Sequence, residues 1–246
     1  LAAMAAVPVG VFVSMAANDE EVVEALQSGC REAASEAGAV ILGGDLSNTS
    51  GPVFIDVVGL GRTNRPGLRS GAITGNDLWV TGRLGASSTA VRVWQRGGEP
   101  PPEARKAFAR PSPRCEEGYY LVEQGIANAL IDLSDGLAGD SAHLAAASGV
   151  QIVLEAAAIP VAPIAVEVLG PEEALQAALH GGEDYELCFA AGPDAVDPSY
   201  FQDHFGLEIT RVGHVCEGSG VWIDQGGSDP EPLMRSGFDH YAADVL

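Results

Sequence analysis

One stretch near the middle of the chain restricts the fold more than any other, because it joins a strand to a helix through an acidic loop. Residues 131–140 read Ile-Asp-Leu-Ser-Asp-Gly-Leu-Ala-Gly-Asp. The apolar residues before Asp132 are typical of the end of a buried strand, whereas the pattern from Leu137 onward is helical. We therefore expect Asp132, Ser134 and Asp135 at a strand-to-helix corner.

Two interpretations of this corner are open. Carboxylates clustered there suit Mg²⁺, which takes oxygen ligands and keeps nucleotide phosphates as co-ligands. Alternatively, the loop only starts the helix, with Ser134 or Asp135 as its N-cap. The spacing alone does not decide between the two roles, and one loop can perform both.

The charge of the chain argues against one class of partner. Among 246 residues, 34 are acidic and 13 basic, which gives a formal net charge of −21. A nucleic-acid surface needs a basic patch, so no nucleic-acid partner is expected. The apolar residues 1–17 lack a basic start and are interrupted by Pro8 and Gly10, and no apolar run is long enough for a membrane span. We expect no membrane association.

The cysteines indicate the compartment. The four cysteines are far apart and form no Cys-x-x-Cys pair. A disulfide framework or thiolate metal site is therefore not expected. Free thiols in a reducing compartment are the better interpretation, which predicts a cytoplasmic protein.

The order of predicted elements is that of an α+β protein. Residues 20–37 have helical periodicity, with Asn18 or Asp19 as a cap and Gly38 at the end. Strands are predicted around it at 9–15, 39–42 and 52–60. Residues 62–77 read as a linker. The remainder alternates strands with helices, and residues 218–223 are expected to form a hairpin with the strand at 207–215.

Four glycine-rich or acidic segments lie next to predicted strands. They are residues 43–45 (Gly-Gly-Asp), 82–85 (Gly-Arg-Leu-Gly), 132–135 and 181–184 (Gly-Gly-Glu-Asp). Glycines allow a ligand to approach the backbone closely, and a following carboxylate would lie beside that ligand. One such segment is compatible with an ordinary turn. Four in one chain favour binding of phosphates and metal, and the absence of a GxxxxGK[ST] motif from the sequence excludes a P-loop.

These motifs resemble those of the thiamine-monophosphate kinases, in the aminoimidazole-ribonucleotide-synthetase-like superfamily. The resemblance runs over nearly the whole chain and rests on segments 43–45, 78–85, 132–137, 181–187 and 237–241. The run Gly-Gly-Glu-Asp-Tyr-Glu-Leu at 181–187 is the most specific, because related synthetases lack it. The resemblance implies that family's two-domain fold, with residues 1–66 as a partial, dimerising and nucleotide-binding N-terminal domain and 67–246 as a C-terminal α+β domain. A homodimer is also implied.

The implied activity is ATP-dependent phosphorylation of thiamine monophosphate to thiamine diphosphate with Mg²⁺. Matched residue by residue, the resemblance implies that Asp45, Asp132 and Asp135 are metal ligands and that Asp132 and Asp135 form the catalytic pair. The implied nucleotide contacts are Gly44, Asp45, Arg69 and Ser134. The implied thiamine contacts are Glu183 and Phe238. Without the resemblance, Arg69 would read as a solvated linker residue.

The chain also departs from the family pattern. The family carries further metal-binding aspartates on an N-terminal segment that this sequence does not match, so we expect a fragment whose activity as given is feeble or absent. His180 and the residues after Asp45 differ from the commoner family residues as well. The alternatives are another ATP-using synthetase of the same superfamily and a non-catalytic nucleotide-binding module.

Overall fold

The chain forms two β-sheets with helices packed against them, as seen in a computed structural model that describes residues 1–227 and 229–233. The α+β prediction is thus confirmed. No helix in these two ranges is long and apolar enough to cross a membrane.

The smaller sheet comes from the start of the chain. Its elements are β1 (Val7–Ala17), α1 (Glu20–Glu36), β2 (Val40–Asn48) and β3 (Phe54–Arg62). β1 is central, parallel to β2 and antiparallel to β3. The Asp19 carboxylate accepts the backbone N–H groups of Glu21 and Val22 at 2.8 and 3.3 Å. The predicted cap of α1 is therefore confirmed.

The Gly-Gly-Asp segment at 43–45 continues the strand predicted at 39–42 instead of following it, which corrects the sequence-based prediction. It lies inside β2, where Gly44 is opposite Val13 of β1. A Cβ atom on Gly44 would lie 1.7 Å from the carbonyl oxygen of Val13. The glycine is therefore required by the close approach of two strands.

The rest of the described chain forms the larger sheet and the helices associated with it. Its elements are β4 (Asp77–Thr81), α2 (Ala86–Gln95), α3 (Pro102–Ala109), α4 (Cys115–Glu123), β5 (Ala127–Asp132), α5 (Leu137–Ser148), β6 (Gln151–Glu155), α6 (Pro163–Leu169), α7 (Pro171–His180), β7 (Leu187–Ala191), α8 (Pro198–Phe205), β8 (Ile209–Cys216), β9 (Gly220–Asp224) and β10 (Glu231–Pro232). The strand order is β10-β9-β6-β8-β4-β7-β5.

Both faces of this sheet are covered, which explains the continuous apolar runs of its central strands. Neighbouring residues of β5 point to opposite faces: Ile131 joins an apolar cluster with residues of α5 and α7, and Leu130 joins a second one with α4 and α8. The acidic loop that follows β5 therefore begins on a rigid, buried strand.

The predicted hairpin between β8 and β9 is wrong. β6 lies between them, antiparallel to β8 and parallel to β9. Ile152, Val153 and Leu154 of β6 are all buried, so this strand belongs in the interior of the sheet with a neighbour on each side. The pairing is long-range and leaves no local signal at the turn after Cys216.

Candidate active site

The acidic loop has the predicted strand-to-helix geometry. β5 ends at Asp132 and α5 begins at Leu137. The N-cap of α5 is Gly136, with φ of 103° and no side-chain capping hydrogen bond. The interpretation of Ser134 or Asp135 as the N-cap is therefore wrong.

A third carboxylate supports the loop from inside the protein. Asp140, in the first turn of α5, is buried, and its Oδ2 accepts the backbone N–H of Asp135 at 2.9 Å. Burial raises the pKa of Asp140 to about 6, and the negative charges of Asp135 and Asp132 act in the same direction. The Asp132 and Asp135 carboxylates therefore lie close enough to Asp140 for their charges to act on it.

The Gly-Gly-Glu-Asp loop packs directly against the acidic loop. The Leu133 N–H donates to the carbonyl of Glu186 at 2.8 Å, and the Tyr185 N–H donates to the carbonyl of Leu133 at 2.9 Å. The Glu183 N–H donates to the carbonyl of Ser134 at 3.0 Å. These bonds continue the antiparallel pairing of β5 with β7 beyond the ends of both strands.

Gly182 permits this packing. A Cβ atom there would lie 2.2 Å from the carbonyl oxygen of Ser134. A larger residue would therefore push the two loops apart.

Glu183 and Tyr185 lie on the outer side of this junction in an unusual backbone conformation. Their φ angles are 71° and 50°, in the left-handed region that side chains other than glycine and asparagine seldom adopt. The Tyr185 hydroxyl donates to Glu183 Oε2 at 3.0 Å. Burial raises the pKa of Tyr185 to about 12, with further contributions from Glu183, Asp132 and Asp135. These four residues form one surface, which we call the acidic corner.

Asp184 and Glu186 point to the inner side of the same loop. Both carboxylate oxygens of Asp184 lie 2.9 and 3.1 Å from the backbone N–H of Gly85, at the start of α2. The Glu186 carboxylate accepts the Thr81 hydroxyl at 2.6 Å and the Arg114 Nε at 2.7 Å. These buried bonds hold the loop on the sheet.

Residues 82–85 lie in direct contact with the carboxylates of Asp184 and Glu186. A Cβ atom on Gly82 would lie 2.2 Å from Glu186 Oε1, and the Gly85 N–H is occupied by Asp184. The glycines of this segment are thus explained by protein contacts alone.

A cavity of about 360 Å³ opens beside the acidic corner. Asp132 and Tyr185 line it, together with Arg114 and Leu187 and the residues of segments 1–3 and 111–115. It has the size of a small-molecule site and places a carboxylate and an aromatic ring at its wall.

The other predicted site residues lie elsewhere. Gly44 and Asp45 are on β2 of the smaller sheet. Arg69 is exposed, and its carbonyl accepts the hydroxyl of Ser148 at the far end of α5. The 12 residues of α5 separate that end from the acidic corner by about 18 Å. Phe238 lies outside the described residues.

No group of three or more His, Cys, Asp or Glu residues suited to a metal ion occurs within residues 1–227 and 229–233. The expected convergence of Asp45 with Asp132 and Asp135 is therefore not found within this part of a single chain. Asp132 and Asp135 still offer the all-oxygen donors that Mg²⁺ prefers, and phosphate oxygens would complete the coordination.

Sequence reasoning missed three residues that shape the site: Asp140, Tyr185 and Glu186. Asp140 gave a weak signal, as an aspartate in the first turn of a helix that begins with glycine. The other two could have been found from the period of two in residues 183–187, which separates an outer pair from an inner one.

Comparison with known proteins places the chain in a family. Residues 1–63 match the family model for the N-terminal domain of AIR synthase related proteins. The chain is 34% identical to the thiamine-monophosphate kinase of Pyrococcus horikoshii over 243 residues, which cover 98% of this chain and 75% of that protein.

Solved structures agree. The crystal structure of thiamine-monophosphate kinase from Stenotrophomonas maltophilia K279a matches with a TM-score of 0.86 and 33% identity, over 95% of this chain and 75% of that one. The complex of AaThiL with AMPPCP and TMP matches with a TM-score of 0.80 and 29% identity, over 94% and 74%. The motifs, the fold and these identities agree, and the chain therefore belongs to the thiamine-monophosphate kinase family.

Proposed function

We propose that this chain transfers the terminal phosphoryl group of ATP to thiamine monophosphate, giving thiamine diphosphate and ADP. The observation that carries the proposal is the acidic corner, where the predicted metal ligands Asp132 and Asp135 and the predicted substrate contact Glu183 lie on two loops joined by hydrogen bonds. A phosphate site and an organic-substrate site would thus adjoin.

In this reaction a phosphate oxygen of thiamine monophosphate forms a bond to the γ-phosphorus, and the bond from that phosphorus to the β–γ bridging oxygen breaks. The acceptor oxygen is already ionised, so no strong base is needed. The role of the chain is therefore to position the two phosphates in line and to balance their charge. Asp132 and Asp135 would hold Mg²⁺, whose positive charge would offset the negative charge of the phosphates during transfer.

Glu183 and Tyr185 have the chemistry to bind the thiamine part. Thiamine carries a cationic thiazolium ring, which is attracted by a carboxylate and by the face of an aromatic ring. Ser134, on the acidic loop, is proposed as a nucleotide contact, and Phe238 as a further thiamine contact.

We further propose a homodimer formed through the smaller sheet. One face of this sheet carries apolar side chains that are 44–59% exposed: Phe12, Phe54, Val58 and Leu60. Monomeric proteins seldom expose so large an apolar patch. A second copy of the chain would cover it.

The same face contains Asp45, which supports its proposed role with Gly44 in the nucleotide site. Asp45 and Asp56 lie on either side of Ser14, on the same face as Phe12. Covering these carboxylates with apolar surface would be costly unless a cation met them. Asp45, and with it the distant Arg69, would thus act in a site completed by a partner subunit.

The domain division is also part of the proposal. The boundary between residues 66 and 67 falls in the segment that connects the two sheets, which supports a division there. The four cysteines are all free thiols, which supports a reducing, cytoplasmic location.

The test is an assay of the purified chain with ATP and Mg²⁺, with and without thiamine monophosphate. We expect ADP and thiamine diphosphate in equal amounts, formed at a low rate and only when thiamine monophosphate is present. ADP formation independent of thiamine monophosphate would favour another ATP-using enzyme of the superfamily. Nucleotide binding without turnover would favour a non-catalytic module.

A further inference from the structure

Asp140 is an ionisable residue that the proposed reaction does not use. Only 2% of its surface is exposed, so it is not itself positioned to reach a substrate. Its Oδ2 accepts the Asp135 N–H at 2.9 Å. The side chain thus binds the backbone of the acidic loop from the protein side.

A carboxylate at this place is costly. It is buried, and the negative charges of Asp132 and Asp135 lie close enough to disfavour its ionised form. An apolar or neutral residue would avoid both costs. The carboxylate provides what an apolar residue cannot, which is an acceptor for the Asp135 N–H of the loop.

Within the described residues, backbone hydrogen bonds from the loop at 181–186 reach only the first half of the acidic loop. The loop at 181–186 receives and donates hydrogen bonds at Leu133 and Ser134. For Asp135, the backbone N–H is held by Asp140. The orientation of the Asp135 carboxylate therefore depends on a residue five positions later.

We propose that Asp140 is a positioning residue for phosphoryl transfer, fixing the backbone at 134–135 so that the carboxylates of Asp132 and Asp135 are preorganised for a Mg²⁺–nucleotide complex. The inference rests on the proposed function. Residues that orient metal ligands through hydrogen bonds typically change metal affinity or activity by about 10- to 100-fold when replaced.

The test compares Asp140→Ala and Asp140→Asn with Asp197→Ala. Asp197 is a matched control, because its carboxylate likewise accepts backbone N–H groups, from Ser199 and Tyr200 at the start of α8. Two properties are measured: hydrogen exchange of the Asp135 amide, and calorimetric affinity for Mg²⁺ with AMPPCP.

We expect Asp140→Ala to accelerate exchange at Asp135 and to weaken Mg²⁺–AMPPCP binding by about 10-fold or more. Asp140→Asn keeps one acceptor oxygen. It should therefore bind Mg²⁺–AMPPCP at least about fivefold more tightly than Asp140→Ala does. Asp197→Ala should change neither property, although it should lower thermal stability through the lost cap.

Unchanged nucleotide affinity in a folded Asp140→Ala protein would overturn the proposal. Equal losses of nucleotide affinity in Asp140→Asn and Asp140→Ala would also overturn it, because the effect would then come from the lost charge and not from the lost acceptor. If the alanine variant does not fold, the asparagine variant decides alone, and a loss above 10-fold overturns the proposal. Failure of the unmodified chain to form thiamine diphosphate would refute the proposed function separately, because exchange and binding are measured without turnover.

Discussion

At the scale of single residues, alternate side chains of the loop at 183–186 lie on opposite sides of it and have different roles. Glu183 and Tyr185 face the acidic corner, whereas Asp184 and Glu186 bind the protein beneath it. Burial raises the pKa of Asp184 to about 7, and the neighbouring Glu186 acts in the same direction. Asp184 holds the start of α2 by a hydrogen bond, but the folded protein disfavours the negative charge of its carboxylate.

This cost predicts a pH dependence of stability. An unfolded aspartate has a pKa of about 3.9. Between about pH 4 and pH 7 the folded chain therefore keeps a proton on Asp184 that the unfolded chain has lost, and the free energy of unfolding falls as the pH rises through this window. Asp184→Asn cannot ionise but keeps an acceptor oxygen for the Gly85 N–H.

Urea unfolding at pH 5 and pH 8 measures the effect. From pH 5 to pH 8, the free energy of unfolding of the parent chain should fall by at least about 1 kcal/mol more than that of Asp184→Asn. The reason is that each unit of pKa shift corresponds to about 1.4 kcal/mol. Asp140, whose pKa is also raised, contributes the same trend to both proteins and cancels. Equal losses would show that Asp184 is charged at little cost.

At the scale of elements, the site depends on two loops that touch through their backbones. Gly182 of one loop lies so close to Ser134 of the other that a Cβ would be 2.2 Å from its carbonyl oxygen. Gly192, just after β7, has no heavy atom within 4 Å of the same position and so offers a matched control.

Gly182→Ala should destabilise the protein by about 1–3 kcal/mol, as overpacking does elsewhere, and should also weaken nucleotide binding because the acidic loop shifts. Gly192→Ala should be close to neutral in both respects. Thermal unfolding and Mg²⁺–AMPPCP calorimetry of the two variants check this. Similar behaviour of the two would mean that the loops can separate without cost.

Local patterns predicted most elements, and long-range pairing accounts for the failures. The Asp19 cap, the α1 periodicity and the corner after Asp132 depend on neighbours in sequence, and all three are found. The Gly-Gly-Asp segment was misjudged because Gly44 is required by its close approach to the backbone of Val13, about 30 residues earlier in the chain. The pairing of β9 with β6 likewise leaves no trace in either strand alone.

The candidate site was predicted only in part for the same reason. Asp132, Ser134, Asp135 and Glu183 were expected from motifs and do adjoin. Motifs do not show which sheet or which end of a helix a residue lies next to. Asp45 belongs to β2 of the smaller sheet, and Arg69 contacts Ser148 at the far end of α5.

At the scale of the whole molecule, the exposed face of the smaller sheet is the feature that a single chain does not explain. Val58, on β3 opposite Phe12 of β1, is 56% exposed on this face. Ile73, in the loop before β4, is 61% exposed and lies outside it. The two residues allow exposure and interface burial to be separated.

Val58→Glu should dissociate the proposed dimer, because a buried unpaired charge at an interface costs several kcal/mol. Ile73→Glu should leave it intact. Light scattering after size-exclusion chromatography would show twice the mass of one chain for the parent and for Ile73→Glu, and a single chain for Val58→Glu. A parent protein with the mass of one chain would refute the homodimer.

In the proposed function, the acidic corner binds the metal–nucleotide complex of a thiamine-monophosphate kinase. Calorimetric titration of Mg²⁺–ATP into the parent chain, Asp132→Asn, Asp135→Asn and the exposed control Asp203→Asn tests it most directly. Each corner variant should bind about tenfold more weakly or worse, the loss expected for a charge-assisted contact, and Asp203→Asn should bind like the parent. Parent-like binding by both corner variants would show that the loop only connects β5 to α5 and that the nucleotide binds elsewhere.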